Sequence, residues 1–241
     1  MAVQPFLKSK QIDSIRCSTR PDYINDEILS LLKQYGVTTI ELGLQSSSDH
    51  VLSLTRRGHS YDDEAKACKM IVEQGFSLVG QMMIGLPGST IESEIATAQF
   101  IIDSGADGAR IYPTVVFHDT ELCNMASAGE YSPLDLDDAV ERSARVLEMF
   151  LDAGIDVIRI GLCSSENLTD TDKYYAGPNH PALGELAMGE LTYRRICEKA
   201  DEVISNTDVE GKTMTVCVPR GATSRAIGQK KRNILRLNEK Y

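Results

Sequence analysis

The chain has 241 residues, a net charge of −10, and 42% hydrophobic against 25% charged residues, the balance of a folded domain with a sizeable core. No apolar run approaches the roughly 18 to 20 residues of a membrane span, and the opening stretch MAVQPFLKSKQ lacks the apolar segment of a signal peptide, so a cytoplasmic protein is expected. The excess of acid disfavours broad nucleic-acid binding, but Arg220 to Lys240 carries seven Lys/Arg against Glu239 alone, which leaves about −16 on the remainder. Such a tail either contacts RNA phosphate or is a solvated or partner-docking helix face. The six cysteines (Cys17, Cys68, Cys123, Cys163, Cys197, Cys217) lie too far apart for any CxxC or tight metal motif, and read as reduced core residues.

In chain order, a first strand over 13–18 runs into TRPDYINDE and a helix whose apolar stripe is Ile24, Ile28, Leu31, Leu32 and Tyr35. A strand over 38–44 follows, ending on Gln45 and three serines. After further helix come a strand over 77–84, the turn GLPG at Gly85 to Gly88, and a helix striped by Ile91, Ile95, Ala98 and Ile102. Ser89-Thr90-Ile91-Glu92 fits a capping box at its start. A strand over 108–115, a helix striped by Leu136, Ala139, Val140, Leu147 and Phe150, and a strand over 155–161 complete the rhythm. Four of these strands are preceded by a helix that stops at a glycine: Gly36, Gly75, Gly105 and Gly154. Near-continuous apolar strands alternating with helices predict an α/β fold with a parallel sheet covered by helices. Five strands do not close a parallel barrel, so the expectation is a partial one.

The rhythm breaks near residue 163. A long polar loop leads to a helix over 186–205, a short strand over 213–218 and a basic helix over 224–240, a small α/β extension. The expected division is therefore 1–163 for the partial barrel and 164–241 for the extension.

Ligands of parallel α/β sheets bind beyond the carboxyl ends of the strands. The five ends here, CSTRPD, LQSSSD, IGLPGST, YPTVVFHD and GLCSSEN, are polar or rich in glycine and proline. Gln45 offers a donor and an acceptor at this rim, Arg56 or Arg57 can clamp a carboxylate bidentately, and GLPG admits close approach to the backbone. His50, His59, His118 and His180 are scattered, with no i, i+4 metal pair.

Taken together, the strings IRCSTRPDYINDEILSLLKQYGVTTIELGLQS, LSLTRRGHS, QMMIGLPGST, RIYPTVVFHDTEL and GEYSPLDLDDAV resemble, in order and spacing, the radical S-adenosylmethionine (SAM) superfamily. The nearest branch is that of the Elongator catalytic-subunit-like proteins, with oxygen-independent coproporphyrinogen oxidase more distant. VIRIGLCSSENL and GPNHPALGEL resemble the C-terminal extension of that branch. The resemblance implies a partial (βα)6 barrel entered at its third strand, with the first two βα units absent. It implies S-adenosylmethionine and a [4Fe–4S] cluster as cofactors of the complete family enzyme.

By position it implies that Ser18 and Thr19 end the third strand near the ligand. Gln45 would face the ribose or methionine part of S-adenosylmethionine, Arg57 its carboxylate, and Gln81 the ribose. The backbone of Tyr112 to Val115, with Thr114 between, would lie against the adenine, and Gly85 of GLPG would be a further cofactor-binding position. The sequence departs from the family in having no CxxxCxxC and no Gly-Gly string after a second strand. The chain alone is thus expected to hold neither cofactor and to be inactive by itself, as the C-terminal part of an enzyme acting on RNA or a metabolite. The other reading is a non-catalytic binding or scaffold homologue. With two units absent, the strand at 13–18 becomes an open edge, and a homo-oligomer or a folded-back segment is expected to cover it.

Overall fold

The computed structural model describes residues 3–162, 173–206 and 213–241. Five parallel strands form the main sheet: β1 (Ile15–Thr19), β2 (Val37–Gln45), β3 (Ser77–Ile84), β4 (Gly108–Pro113) and, after a two-residue strand β5 (Val116–Phe117), β6 (Asp156–Ile160). Their order is β1-β2-β3-β4-β6, each strand parallel to its neighbour. A short antiparallel pair joins β5 to β7 (Tyr174–Ala176).

Helices α1 (Gln4–Lys8), α2 (Asp26–Gln34), α3 (Asp49–Leu54), α4 (Tyr61–Glu73), α5 (Ile91–Asp103), α6 (Glu121–Ser127) and α7 (Leu136–Asp152) precede or link the strands. Their starts are fixed locally. The Asn25 side chain accepts from Ile28 N, Ser60 and Asp63 form a reciprocal box at α4, and Asp135 accepts from Asp138 N. At α5 the box is Thr90 with Ser93, one residue beyond the expected Ser89–Glu92 pair. The four glycines expected at helix ends, Gly36, Gly75, Gly105 and Gly154, all take φ between 73° and 79°, the left-handed conformation that ends a helix without a Cβ clash.

Alternation along the strands separates two faces. Ile40, Leu42, Leu44, Leu78, Met82, Ile84, Ala109 and Ile111 pack against Leu29, Ile71, Ile101, Leu147 and Phe150 from the helices. Each large side chain so buried contributes about 1.5–3 kcal/mol. Strand residues of the other parity, among them Glu41, Gly43, Gln81, Arg110 and Tyr112, leave on the opposite, inner face. The hydrophobic effect thus sets strand register, and register delivers polar groups to one surface.

The C-terminal region departs from the sequence reading in two places. Residues 213–218 form no strand: they line an apolar groove of about 480 Å³ together with the long helix α8 (Leu183–Asn206), and pair with no strand among the described residues. The basic helix over 224–240 is broken into α9 (Thr223–Ile227), a 3-10 turn over Gln229–Lys231, and α10 (Arg232–Lys240). Gly228 at φ 76° and Lys230 and Lys231 at φ 52° and 64° interrupt it. The polar loop contains β7, which its composition conceals; residues 163–172 lie outside the described residues. Among the described residues no helix is long and apolar enough to cross a membrane.

The tail docks on acids of α7 and α8. Arg236 bonds both carboxylate oxygens of Glu190 and stacks 3.7 Å over the Tyr193 ring. Lys240 reaches Asp201 at 2.8 Å and Arg232 reaches Asp137 at 2.8 Å. Arg195 in turn ties α8 to Glu148 and Asp152 on α7.

Candidate functional site

The carboxyl ends of β1, β2 and β3 converge on Gly43. A Cβ at this position would sit 2.7 Å from Gln45 Nε2, 3.8 Å from the Thr19 carbonyl and 3.9 Å from Arg57 Nη2. The missing side chain therefore leaves a cradle between an amide, a carbonyl and a guanidinium. Gln45 Oε1 accepts from Gln81 Nε2 at 3.3 Å, linking β2 to β3. Gln45 is 2% exposed and holds φ 71°, a conformation uncommon for a residue with a side chain. Its register slips one residue against β3, where Gly43 pairs with Gln81 and Gln45 with Met82. The strand ends in this distortion because Gln45 must turn its amide across Gly43 instead of following the pleat.

Arg57 is half-buried and makes no side-chain hydrogen bond or ion pair among the described residues. Burial, then the charge of Arg20, pulls its guanidinium below the usual value. Such a group is poised for an anion. Arg20 positions it: its guanidinium forks onto Asp22 at 2.9 Å and also donates to the Arg57 carbonyl at 2.9 Å. Behind the loop, His59 Nε2 lies 3.0 Å from Glu64 Oε1, and both side chains are almost fully buried. Burial pushes the Glu64 carboxyl up to about 9 and lowers His59, so the two meet at neutral pH as an uncharged, one-proton hydrogen bond.

Gly85 lies at the end of β3, held from two sides. Its N–H donates to Glu94 Oε1 at 2.7 Å, and its carbonyl accepts from the Tyr131 hydroxyl at 2.6 Å. Glu94 also takes bonds from Ser89 and Arg142 at 3.1 Å and 3.3 Å. Thr114 is 3% exposed and bonds the Ile84 carbonyl through both N–H and Oγ1 at 2.8 Å. Gly177 packs on the Thr114 carbonyl and the Val115 Cα, so this backbone is covered from the β7 side. The Tyr112 hydroxyl turns to Arg110 Nη1 at 3.1 Å.

Of the residues read from sequence, then, Thr19, Gln45, Arg57 and Gln81 come together around Gly43. Ser18 stands on the exposed side of β1, opposite Glu41. Gly85, Tyr112, Thr114 and Val115 form the next part of the rim. Gly43, Arg20 with Asp22, His59 with Glu64, and Glu94 with Arg142 escaped the sequence reading. A glycine two residues before a strand-ending glutamine was a visible signal for the first; the ion pairs join distant segments and leave none.

The five-stranded parallel sheet defines an α/β protein, and in such sheets ligands bind beyond the carboxyl ends of the strands, where this chain places a polar, arginine-bearing rim. Residues 4–101 match the Radical SAM superfamily and residues 106–193 the Radical_SAM C-terminal domain, and the chain belongs to the radical SAM superfamily. It is similar to the tRNA uridine(34) acetyltransferase of Methanocaldococcus infernus, 36% identical over 126 residues, 51% of this chain and 24% of that protein. It is similar also to Elongator complex protein 3 of Homo sapiens, 33% identical over 138 residues, 56% and 25% of the two chains. The solved archaeal Methanocaldococcus infernus Elp3 with N-terminus deletion (1-46) superposes with a TM-score of 0.67 at 29% identity, over 78% of this chain and 42% of that one. The chain thus spans about a quarter of the length of the curated relatives it matches.

The two family cofactors fit this chain unequally. The cradle at Gly43, with an unpaired guanidinium above it, suits the amino-acid end of S-adenosylmethionine. The cluster finds no such match. Among the described residues no group of three His, Cys, Asp or Glu side chains is placed to hold a metal ion. Burial raises the Cys17 thiol and pushes Cys68 up to about 12, which opposes the thiolate form that ligates iron.

Proposed function

We propose that this chain is the part of a radical SAM enzyme that receives the amino-acid end of S-adenosylmethionine, while the cluster thiolates come from polypeptide outside this sequence. The unpaired Arg57 guanidinium over Gly43 carries the reading. Arg57 orients the carboxylate bidentately, Arg20 and Asp22 hold the Arg57 loop, and the Gln45–Gln81 pair offers amide groups to the adjoining hydroxyls or amine. With no side-chain group placed to hold a cluster among the described residues, the chain by itself binds S-adenosylmethionine but does not react.

The names of the relatives support an RNA substrate. Of the seven basic tail residues, Arg225, Arg232, Arg236 and Lys240 face acids of this same chain. RNA contact by the tail therefore rests on Arg220, Lys230 and Lys231, all exposed.

Titration of the purified chain with S-adenosylmethionine tests the site. Wild type should bind measurably, and Arg57→Gln should weaken binding by about tenfold or more, the loss of a charge-assisted pair. Equal affinities, or no binding by wild type, reject the site. Anaerobic reconstitution with iron and sulfide should leave the chain without stoichiometric iron; a full complement rejects the division of labour.

A further inference from the structure

Pairing across the sheet places Gly43, Gln81, Arg110 and Arg159 in one row on β2, β3, β4 and β6. Arg110 and Arg159 are direct partners. Each precedes an isoleucine, Ile111 or Ile160, packed in the helix-side core, so both arginines leave the sheet on the inner face. Like charges directly opposed across two strands repel one another. An anion bound between them offsets that repulsion.

This chain supplies only part of one. Glu41 Oε2 lies 3.0 Å from Arg110 Nε, but off the hydrogen-bond axis, so Arg110 Nε is buried without a hydrogen bond. Arg159 is half-buried and has no ion pair or hydrogen bond among the described residues. Tyr112 accepts from Arg110 Nη1, which leaves its own O–H free to donate. Arg110, Arg159 and Tyr112 thus hold neighbouring positions on the inner face of β4 and β6, with the Glu41 carboxylate beside Arg110.

We propose that Arg110 and Arg159 form a second anion site, which takes a phosphate or carboxylate group of the molecule this domain acts on. It deepens the functional reading above by assigning a charge to the substrate. At about 4.8 Å per strand, Arg159 stands about 14 Å from Gly43 along the row, beside the cradle and not within it. A substrate held by its anion here extends across Gln81 toward the S-adenosylmethionine end.

The test uses the purified chain at constant ionic strength in chloride. Inorganic phosphate and acetate are titrated separately by calorimetry into wild type, Arg159→Gln and Arg57→Gln, after a melting curve has confirmed that each variant folds. Arg159 has no partner to orphan, so its replacement leaves the core intact; Arg110 is spared because its loss would strand Glu41. Wild type should bind at least one of the two anions, and Arg159→Gln should weaken that binding about tenfold or more. Arg57→Gln should leave it within about twofold while losing S-adenosylmethionine. Binding of phosphate alone marks a phosphate-bearing substrate, and acetate alone a carboxylate-bearing one. No binding by wild type, equal binding by Arg159→Gln, or loss confined to Arg57→Gln overturns the site. Because the Arg57 arm reads the cradle and the Arg159 arm the row, either reading can fail without the other.

Discussion

Gly43 and Gln45 act as a unit, and neither can be understood alone. Gln45 holds φ 71°, at a cost of order 1 kcal/mol, and its amide then occupies the space a side chain at 43 would claim. Gly43→Ala should fold, because the nearest atom belongs to a movable side chain, yet displace that amide from Gln81. A drop of about tenfold in S-adenosylmethionine affinity, with little change in melting temperature, is the expected result; unchanged affinity would remove the cradle from the argument. Glu64 governs a pH effect. Its folded pKa near 9 lies above the unfolded value near 4.3, so between these the native chain keeps a proton that the unfolded chain releases. Its stability contribution is complete below about pH 4.3 and declines as pH rises toward 9, by up to about 1.4 kcal/mol per unit. His59, lowered by burial, is essentially neutral in both states only above about pH 7.5, where it drops out. Urea midpoints between about pH 7.5 and 9 should fall for wild type and stay level for Glu64→Gln.

Between elements, close approach depends on small residues. A Cβ on Gly80 would come within 2.7 Å and 2.9 Å of Ile101 carbons, because α5 lies directly on β3 there. Gly80→Ala should cost about 1–3 kcal/mol by urea denaturation, the range for overpacking a core. A cost near zero would mean that α5 can lift. At the sheet edge, β1 has only β2 beside it. The N-terminal helix α1 is held at the end of α2, where Gln4 bonds the Tyr35 carbonyl and Leu7 meets Gly36. Unpaired strand edges recruit strands, and we propose that a second copy covers this one. Light scattering should report a dimer at micromolar concentration, and a monodisperse monomer would rule it out.

Across the whole molecule the charge asymmetry of the sequence resolves into an internal clamp. Glu190 is 8% exposed and answered by Arg236, so Arg236→Ala leaves a largely buried carboxylate unpaired. That should cost about 1–3 kcal/mol and speed amide exchange through 232–240. Unaltered exchange would mean that the tail is held by other means. The double change Lys230→Glu and Lys231→Glu leaves the clamp intact, and should weaken RNA binding and flatten its salt dependence.

Much of the architecture was legible because it is written in local periodicity. The strand over 77–84 appears with the expected bounds, and the other four are offset by one or two residues. Helix-ending glycines could be read directly, since a left-handed residue is a property of one position. The strand expected at 213–218 was illegible for the opposite reason: its alternation is real, but a strand exists only with a neighbour, and none was placed beside it. The site divides likewise. Gln45 stood out as a polar residue at a strand end and Arg57 as one of two adjacent arginines, while Gln81, inside its strand, came only from the family resemblance. What joins them across Gly43, what leaves Arg57 unpaired, and what sets Arg110 against Arg159 depend on register between strands tens of residues apart. The sequence by itself determined the βα rhythm, the polar rim and the absence of a cysteine cradle, all carried by short-range pattern. Only the tertiary structure decided which charges are answered and which wait for a ligand, because burial and pairing belong to neighbours that the chain does not place next to each other.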